Sequence, residues 1–408
     1  MLAESAIQKY RLMRQAILFW RKISSVEHTH FLEHSPGELI QTINNAWAFL
    51  PHSLPPQIEP PSWEFYNLLL EAERALSKLD GLTHTLPNPR LLLRPFAQRE
   101  AVLSSRIEGT VANVSDLVLF DASEYSEPTS DVREVANYVL ALEMGLRWVQ
   151  ENQSPISLAL IRGLHEQLMK GVRSGDRNPG QFRVEQNWIG VARSSIHESR
   201  FVPPPPLEVV YAMNDLERFI NTASPLPDLI RLALIHYQFE TIHPFSDGNG
   251  RVGRLLLPLF LCSQKMLTQP TLNLSAYFEH NRAAYCDGLL RVSQTGQWYD
   301  WIEFFLRGVA LQANDATEKT KQLWDLRERY RQRLQQTGSS AKSLQLVDML
   351  FSSPAFSVAR AEKFLSVTRR GAVLNIEKLQ SKNILREVEW MKQPKIYIAP
   401  EIMEILET

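Results

Sequence analysis

Most of the chain carries apolar residues at the three- and four-residue spacing that is typical of amphipathic helices. Residues 64–81 follow this period and end at a glycine, and residues 95–110 follow it as far as Gly109. The same period predicts further helices over residues 131–152, 157–172, 205–222, 226–242, 250–265, 279–293 and 298–335. The pattern therefore predicts a mainly helical protein.

One stretch in the middle of the chain departs from the helical period. Residues 180–206 are rich in valine, isoleucine, tryptophan and phenylalanine, and they enclose the polar segment ARSSIHES. This pattern predicts a β-hairpin with a long loop. A lone hairpin in a helical protein leaves a strand edge exposed, and an extended peptide could pair with that edge.

Changes in composition divide the chain into five segments. Prolines cluster at 51–63, where we expect an extended connector after an N-terminal helical extension, and charges cluster at 313–337, where we expect a solvated helical linker. Beyond the linker, three helical patterns and a two-stranded pattern follow in the order of a winged helix-turn-helix. The segments are the extension and connector (1–60), two helical regions (61–125 and 126–312), the linker (313–338) and the winged helix (339–408).

Composition and charge indicate a globular protein with no general affinity for polyanions. The 408 residues are 44% hydrophobic and 22% charged, and the formal net charge is −1, so no overall field attracts nucleic acid or membranes. The longest apolar run, residues 255–262, is far shorter than a membrane span, and the N-terminus lacks the features of a secretory signal. Cys262 and Cys286 are too few for a disulfide framework. We expect a cytoplasmic protein whose cysteines lie in the core.

The segment HPFSDGNGRVGR, residues 243–254, concentrates several reactive residue types in one turn. One helical pattern ends at its histidine and the next begins near Asn249. The first turn of a helix carries unpaired N–H groups and a partial positive charge, which favour anions. Gly248 and Gly250 would let a ligand approach that backbone closely. The segment therefore predicts a phosphate-binding cradle.

Charged side chains accompany this predicted cradle. Arg251 and Arg254 are three residues apart, so they share a face of the helix and suit two further phosphates. Asp247 is an acid among positive groups, which is typical of a Mg²⁺ ligand that shares the metal with substrate phosphates. His243 can accept a proton near neutral pH. Each residue alone also has an ordinary structural interpretation, but together they predict a nucleoside triphosphate site beside a general base.

The same twelve residues match the signature of the Fic family at every defined position. Residues 86–110 resemble the N-terminal segment of class II Fic proteins, and FRVEQNWIG with RFVPPPP resembles the family's flap. The resemblance covers residues 60–310. It implies a Fic-type helical bundle with a β-hairpin flap, in which 61–125 carry an inhibitory helix and 126–312 form the catalytic core. A C-terminal winged helix is a known companion of this bundle.

The resemblance implies a protein adenylyltransferase, which transfers AMP from ATP to a tyrosine, threonine or serine hydroxyl of a target protein. His243 would take the proton from that hydroxyl, and Asp247 would hold Mg²⁺. Arg251 would hold the β-phosphate and Arg254 the γ-phosphate. The implied nucleotide-binding residues are Asp247, Gly248, Asn249, Gly250, Arg251, Val252, Gly253 and Arg254, with Ile189 and Gly190 in the flap and Tyr285 beside the adenine.

Ser104 and Glu108 fit the inhibitory pattern of class II Fic proteins, Ser/Thr-x-x-x-Glu-Gly/Asn. The resemblance implies that Glu108 pairs with Arg254 and occupies the arginine that should hold the γ-phosphate. In some relatives the same glutamate positions a water that removes AMP from targets. The sequence leaves inhibition and de-AMPylation open, and an exposed carboxylate at a helix end is the ordinary alternative.

The C-terminal region leaves a second function class open. Residues 339–408 contain ten Lys/Arg and eight Asp/Glu, a weak balance for a DNA-binding domain. Thr368, Arg369 and Arg370 open the predicted recognition helix, where DNA contacts would lie, but a protein-contact or dimerisation module fits equally. The alternative function is a DNA-binding regulator whose Fic site senses ATP; an intact His243 favours the transferase, because a sensor needs no base. Class II relatives also imply a homodimer.

Overall fold

The computed structural model describes residues 31–58, 61–86, 88, 90–123, 127–172, 178–190, 195–336, 340–391 and 393–407. These residues are mainly helical, and they include one two-stranded and one three-stranded sheet. The sequence prediction of a mainly helical protein is therefore confirmed. Among the described residues, no helix is both long and apolar enough to cross a membrane.

The first part of the helical body contains the segments around Glu108 and His243 that the sequence analysis singled out. Its helices are α1 (Trp63–Thr85), α2 (Arg90–Ile107), α3 (Val114–Ser123), α4 (Ser130–Leu146), α5 (Leu158–Leu168), α6 (Pro206–Asn221), α7 (Asp228–Ile242) and α8 (Asn249–Ser263). Nearly every side chain of α7 and α8 is buried. These two helices therefore form the centre of the fold, and the loop between them is held from both ends.

The remaining helices of this body are α9 (Leu274–His280), α10 (Arg282–Thr295) and α11 (Trp298–Gln335). The predicted linker, 313–338, is the continuation of α11 as far as Gln335, as the helical period indicated, and residues 337–338 lie outside the described residues. It is not fully solvated, however, because apolar positions at three- and four-residue spacing bury one face of it. The buried residues of this part are Ala313, Ala316, Thr317, Lys319, Thr320, Leu323, Leu326, Tyr330 and Leu334.

The N-terminal region is not helical where the structure describes it, so the prediction of a helical extension is wrong over residues 37–51. Strands β1 (Gly37–Gln41) and β2 (Trp47–Pro51) pair in antiparallel fashion. The connecting turn closes through Asn45, whose φ is 57°, and the Thr42 N–H donates to the Ala46 carbonyl. Asparagine tolerates the left-handed backbone better than most residues, which favours a turn here. Residues 1–30 of the predicted extension lie outside the described residues.

Where the structure describes residues 180–206, the predicted hairpin is reduced to a single antiparallel bridge between Ile189 and Phe201. The Ile189 N–H donates to the Phe201 carbonyl at 2.8 Å, and the Phe201 N–H returns the bond at 3.0 Å. Four prolines follow at 203–206, and proline lacks the N–H that a longer ladder needs. A short 3₁₀ turn, Ile196–Glu198, lies between the two halves of this flap.

The C-terminal part contains α12 (Ala341–Leu350), β3 (Ala355–Ser357), α13 (Val358–Leu365), α14 (Arg369–Ser381), β4 (Arg386–Glu387), β5 (Ile396–Ile398) and α15 (Pro400–Glu407). The strands form a sheet in the order β3-β5-β4. Thr368 caps α14 by accepting from the Gly371 N–H at 3.3 Å, and Arg369 and Arg370 are exposed in its first turn. The assignment of this part as a DNA-binding winged helix stays a prediction.

Candidate active site

The loop between α7 and α8 reverses the chain through two left-handed residues. His243 ends α7 with φ 50°, and its N–H still donates to the Phe239 carbonyl at 3.0 Å. Gly248 precedes α8 with φ 76°, a conformation that glycine adopts without strain. The histidine at the end of one helix is thereby placed beside the first turn of the next.

Phe245 and Asn249 fix this loop in the core. The Phe245 ring is fully buried and stacks on His165 with ring centroids 3.8 Å apart. The Asn249 amide accepts from the Phe245 N–H and donates to the Phe245 carbonyl, both at 2.8 Å. Phe245 therefore anchors the loop in the core, and Asn249 acts as a structural clamp.

His165 holds the loop from a second side. Its Nδ1 accepts from the Gly180 N–H at 2.8 Å, so its Nε2 carries the proton and donates to the Asp247 carbonyl at 3.0 Å. One imidazole therefore joins α5, the segment before the flap and the loop. Such contacts restrict the backbone that positions the charged residues.

The His243 imidazole is held in the tautomer that a general base requires. Its Nδ1 lies 3.2 Å from the Glu240 carbonyl oxygen. A carbonyl only accepts, so Nδ1 carries the proton and Nε2 keeps a free electron pair. Burial, and next the nearby guanidinium of Arg183, lower the pKa of His243 to about 4. The imidazole is therefore neutral at physiological pH.

We expect this lowered pKa to be directly visible in the folded protein. An NMR titration of histidine-labelled protein should show His243 unprotonated at pH 6, where a histidine side chain in a model peptide is largely protonated. The sign follows from the causes, since burial and Arg183 both disfavour the cation. A His243 midpoint near 6.5 would contradict the environment described here.

The first turn of α8 supplies the backbone donors of the cradle. The N–H groups of Asn249, Gly250 and Arg251 start the helix, where intrahelical partners are absent. The Gly248 N–H is not free to bind a phosphate in this structure, because it donates to Asp247 Oδ1 at 2.6 Å. In the structure, the Asp247 carboxylate therefore accepts the hydrogen bond that a phosphate oxygen would otherwise accept from this N–H.

Val252 and Gly253 do not fit the nucleotide-contact role that the resemblance implied. The Val252 side chain is fully buried, and its N–H donates to the Gly248 carbonyl at 3.1 Å. Gly253 is covered by Glu240 and the Phe239 ring, which a Cβ at this position would strike. Both residues belong to the packed side of α8 and not to its open end.

Arg254 is held at three points by Ser104 and Glu108. Its Nη2 lies 2.6 Å from Glu108 Oε1 and 3.0 Å from the Ser104 carbonyl oxygen, and its Nε donates to Ser104 Oγ at 2.8 Å. The arginine side chain is 1% exposed, whereas that of Glu108 is 40% exposed. Ser104 in α2 and Glu108 in the turn after it therefore both contact Arg254, the second arginine of the motif.

The ionic character of this contact shows in the pKa of Glu108. Burial alone would raise the pKa, but the guanidinium of Arg254, with its hydrogen bond, holds it below the ordinary value of a glutamate. Gly250 allows the close approach, because a Cβ there would strike Glu108 Oε1. The carboxylate therefore lies directly against the first turn of α8.

Arg251 is also paired with a carboxylate. Its Nη1 donates to Glu134 Oε2 at 3.0 Å, and Asp247 Oδ1 lies 3.7 Å from Nη2. Burial raises the pKa of Glu134 although Arg251 opposes this. The side chain of Asp247 stays 46% exposed. Both arginines of the motif are therefore neutralised by protein carboxylates in this structure.

The flap residues and Tyr285 differ in solvent exposure. Ile189 is partly exposed in the bridge to Phe201, and Gly190 is exposed beside it. Tyr285 is only 3% exposed, and its hydroxyl lies 2.8 Å from His236 Nε2. The structure therefore gives Tyr285 little surface for an adenine, and the ring packs on Phe278 instead.

Several residues of the site lay outside the sequence prediction. Glu134, His165 and Arg183 come from α4, α5 and the start of the flap, and each contacts the motif only through tertiary folding. Glu240 lies on α7, and its backbone carbonyl contacts His243 three residues later. Arg183 donates to the His243 carbonyl at 2.9 Å. No local pattern marks these residues; only the position of Glu240, one helical turn before His243, was a signal available in the sequence.

Comparison with known families places this geometry in context. Residues 66–147 match the model described as Fic/DOC family N-terminal, and residues 155–261 match the model described as Fic/DOC family. These ranges contain Ser104, Glu108 and the α7–α8 loop. The matches agree with the resemblance drawn from the motif.

Curated relatives match the same part of the chain. A probable protein adenylyltransferase of Aquifex aeolicus is 28% identical over 195 residues, which are 46% of this chain and 55% of that protein. Protein adenylyltransferase fic-1 of Caenorhabditis elegans is 28% identical over 165 residues, 38% of this chain and 30% of that protein. The chain thus spans between about a third and about half the length of these relatives.

A solved structure supports the fold. The crystal structure of a Fic family protein from Desulfovibrio desulfuricans aligns with a TM-score of 0.55 at 20% identity, and it covers 85% of this chain and 98% of that chain. At this identity the likeness concerns the fold alone.

Proposed function

Because the chain belongs to the Fic/DOC family, we propose that it transfers AMP from ATP to a hydroxyl of a target protein. The observation that carries this proposal is the His243 imidazole with its unprotonated Nε2. The loop after His243 leads directly into the first turn of α8, which carries the buried arginines Arg251 and Arg254. Relatives named protein adenylyltransferases, 28% identical to this chain, support the same reaction class.

The proposed reaction is a substitution at the α-phosphorus. The target hydroxyl oxygen forms a bond to phosphorus while its proton passes to His243 Nε2. The bond between the α-phosphorus and the bridging oxygen breaks, and diphosphate leaves with the electron pair. Such reactions depend mainly on positioning and charge neutralisation, and a positioned base adds about 10²–10⁴-fold.

The phosphate groups would be held by α8 and its arginines. Backbone donors of the first helical turn suit the α- and β-phosphate oxygens. Arg251 and Arg254 suit the β- and γ-phosphates, provided that the carboxylates now paired with them give way. This exchange of a carboxylate for a phosphate is the proposed basis of inhibition by Glu108 and Ser104.

Asp247 fits a Mg²⁺ ligand of the substrate-shared kind. Among the described residues no group of three or more His, Cys, Asp or Glu side chains could hold a metal alone. Mg²⁺ in phosphate-transfer sites commonly uses one or two carboxylates and completes its shell with water and phosphate oxygens. The half-exposed carboxylate of Asp247 meets that requirement, and the bound ion would neutralise phosphate charge.

Replacing Asp247 with alanine should remove the Mg²⁺-dependent part of ATP affinity. The variant loses the only carboxylate proposed to join the protein to the metal, while the backbone donors of α8 remain. Calorimetry of ATP with and without Mg²⁺ measures this difference. Equal Mg²⁺·ATP affinity in Asp247→Ala and the parent protein would rule out the metal role.

Mass spectrometry of the protein after incubation with ATP and Mg²⁺ tests the proposed function. Self-modification, or modification of a target protein, should add adenosine monophosphate to a serine, threonine or tyrosine. Addition of phosphate alone would indicate a kinase instead. Absence of any adduct, also after Glu108 is replaced, would favour the role of an ATP sensor.

A further inference from the structure

Arg183 is a buried cation near the start of the flap, and it is only 4% exposed. Burial lowers the pKa of its guanidinium to about 10, so the group still carries its charge at neutral pH. A buried charge is costly unless hydrogen bonds satisfy it. The acceptors that surround the guanidinium therefore show which parts of the fold this residue holds together.

The end of α7 and the α7–α8 loop accept the first group of these hydrogen bonds. The Arg183 N–H donates to the Pro244 carbonyl at 2.9 Å, and its Nε donates to the His243 carbonyl, also at 2.9 Å. Nη2 lies 3.4 Å from the Ile242 carbonyl oxygen. These carbonyls belong to three consecutive residues, so Arg183 holds the backbone that carries the His243 imidazole.

The same guanidinium bonds to both arms of the flap, which are residues 182–190 (the first arm) and 200–206 (the second arm). Nη1 donates to the Glu185 carbonyl at 3.3 Å, and Nη2 donates to the Pro204 carbonyl at 2.5 Å. A guanidinium is planar and presents its donors in a fixed fork. One rigid group therefore joins the two arms to the α7–α8 loop.

Two amide side chains of the first arm repeat this pattern. Gln186 Nε2 donates to the Pro203 carbonyl at 2.9 Å, which lies in the second arm. Asn187 Nδ2 donates to the Phe245 carbonyl at 3.0 Å, which lies in the α7–α8 loop. The first arm is thus bonded to the second arm and to the loop at successive positions.

The second arm is also bonded to the N-terminal hairpin. The Phe49 N–H of β2 donates to the Val202 carbonyl at 2.9 Å, and the rings of Phe49 and Phe201 lie 5.9 Å apart. The second arm is therefore held against β2, and Arg183 links this arm to the backbone of His243.

We propose that Arg183 is a positioning residue that fixes the flap relative to His243 and thereby sets where a target hydroxyl lies. The inference rests on the proposed function, in which that hydroxyl must come within hydrogen-bond reach of His243 Nε2. An extended target segment that pairs with the strand edge of the flap takes its position from the first arm. Arg183 acts through the backbone of the flap and of the loop, so it affects transfer to a protein and not the binding of ATP.

Arg183→Lys in the Glu108→Gly protein, here called the parent, tests this role. Lysine keeps the charge that, after burial, lowers the pKa of His243, so the base stays neutral. Its ammonium group is a point charge and cannot replace the fork. AMP transfer at saturating ATP, followed with α-³²P-ATP, should fall about 10- to 100-fold, because a misplacement of about 1 Å can cost about 10²-fold. The ATP affinity measured by calorimetry should stay nearly unchanged, because the phosphate donors of α8 remain.

Hydrogen exchange provides a readout that does not depend on catalysis. The N–H groups of Ile189, Arg200 and Phe201 are hydrogen-bonded between the two arms. Peptides that cover these residues should exchange faster in Arg183→Lys, whereas a peptide from the buried part of α7, residues 229–239, should exchange as in the parent. Faster exchange in all peptides would assign Arg183 to the general stability of the fold and overturn the positioning role.

Arg231→Lys is the matched control. Arg231 is also a buried arginine, and it donates to the Ile220 and Thr222 carbonyls near the other end of α7. It precedes His243 by twelve residues, which is about 18 Å along a helix. The control should leave AMP transfer per folded protein and exchange in the flap unchanged.

The outcomes separate this role from the proposed function. Parent-like transfer in Arg183→Lys, an equal loss of transfer in both lysine variants, or a loss of ATP affinity as large as the loss of transfer would each overturn the positioning role. AMP transfer by the parent would then still stand. If the parent labels no protein, the proposed function fails and the positioning of a hydroxyl fails with it, whereas the exchange rates still show whether Arg183 holds the flap.

Discussion

Replacing Glu108 with glycine should raise the rate of AMP transfer roughly 10- to 30-fold. The variant frees Arg254 from a charge-assisted hydrogen bond, which is worth about 1.5–3 kcal/mol. We take the lower part of this range because the Glu108 side chain is 40% exposed and solvent screens the pair. Each 1.4 kcal/mol corresponds to about tenfold in the population of productive complexes.

The position of Glu108 makes the substitution structurally mild. The residue lies after the last residue of α2, in a turn that closes at Gly109 with φ 98°. A glycine there does not interrupt the helix. Glu108→Gln, which keeps the volume and removes the charge, should give a smaller gain.

A double variant identifies the route of activation. Glu108→Gly combined with Arg254→Ala should gain little, because the arginine that is released is gone. Labelling with α-³²P-ATP at matched protein concentration measures all of these rates. An unchanged rate in Glu108→Gly would remove the inhibitory role. A lower rate, together with slower loss of AMP from a pre-labelled target, would assign Glu108 to hydrolysis.

Replacing His243 with alanine should reduce AMP transfer by at least about 10²–10⁴-fold, the usual contribution of a general base. ATP affinity should change little, because the base acts on the hydroxyl proton and not on the phosphates. The loss should therefore fall on kcat and not on KM. His84→Ala, at an exposed position of α1, is the matched control. Near-normal labelling by His243→Ala would contradict the assignment of the base.

The helices could be predicted because their apolar period is strong and local. Residues 298–335 were predicted as a single helix, and α11 spans those residues. The helix boundaries around the motif were also close, since His243 and Gly248 end and begin helices through backbone conformations that the sequence marks. Glu108 and Arg254 were paired from the resemblance, and the structure brings them into contact.

Other features depended on contacts that no local pattern records. The N-terminal hairpin depends on a short turn at Asn45 and on the burial of residues in β2. Each strand has only five residues, which is too short for the apolar period to distinguish a strand from a helix. The flap was predicted as a β-hairpin with a long loop, but its described residues form one bridge, and the prolines after it lack the N–H groups that a longer ladder needs. Val252 was included in the predicted site because it lies within the motif, but its side chain is buried in the core.

Parallel labelling of the Glu108→Gly variant with α-³²P-ATP and γ-³²P-ATP distinguishes AMP transfer from phosphate transfer. We predict that the α label stays on protein while the γ label leaves with diphosphate, and that His243→Ala in the same background abolishes the α label. Retention of the γ label would mean phosphate transfer and contradict AMP transfer. Retention of neither label would also contradict AMP transfer and leave the nucleotide as a bound effector.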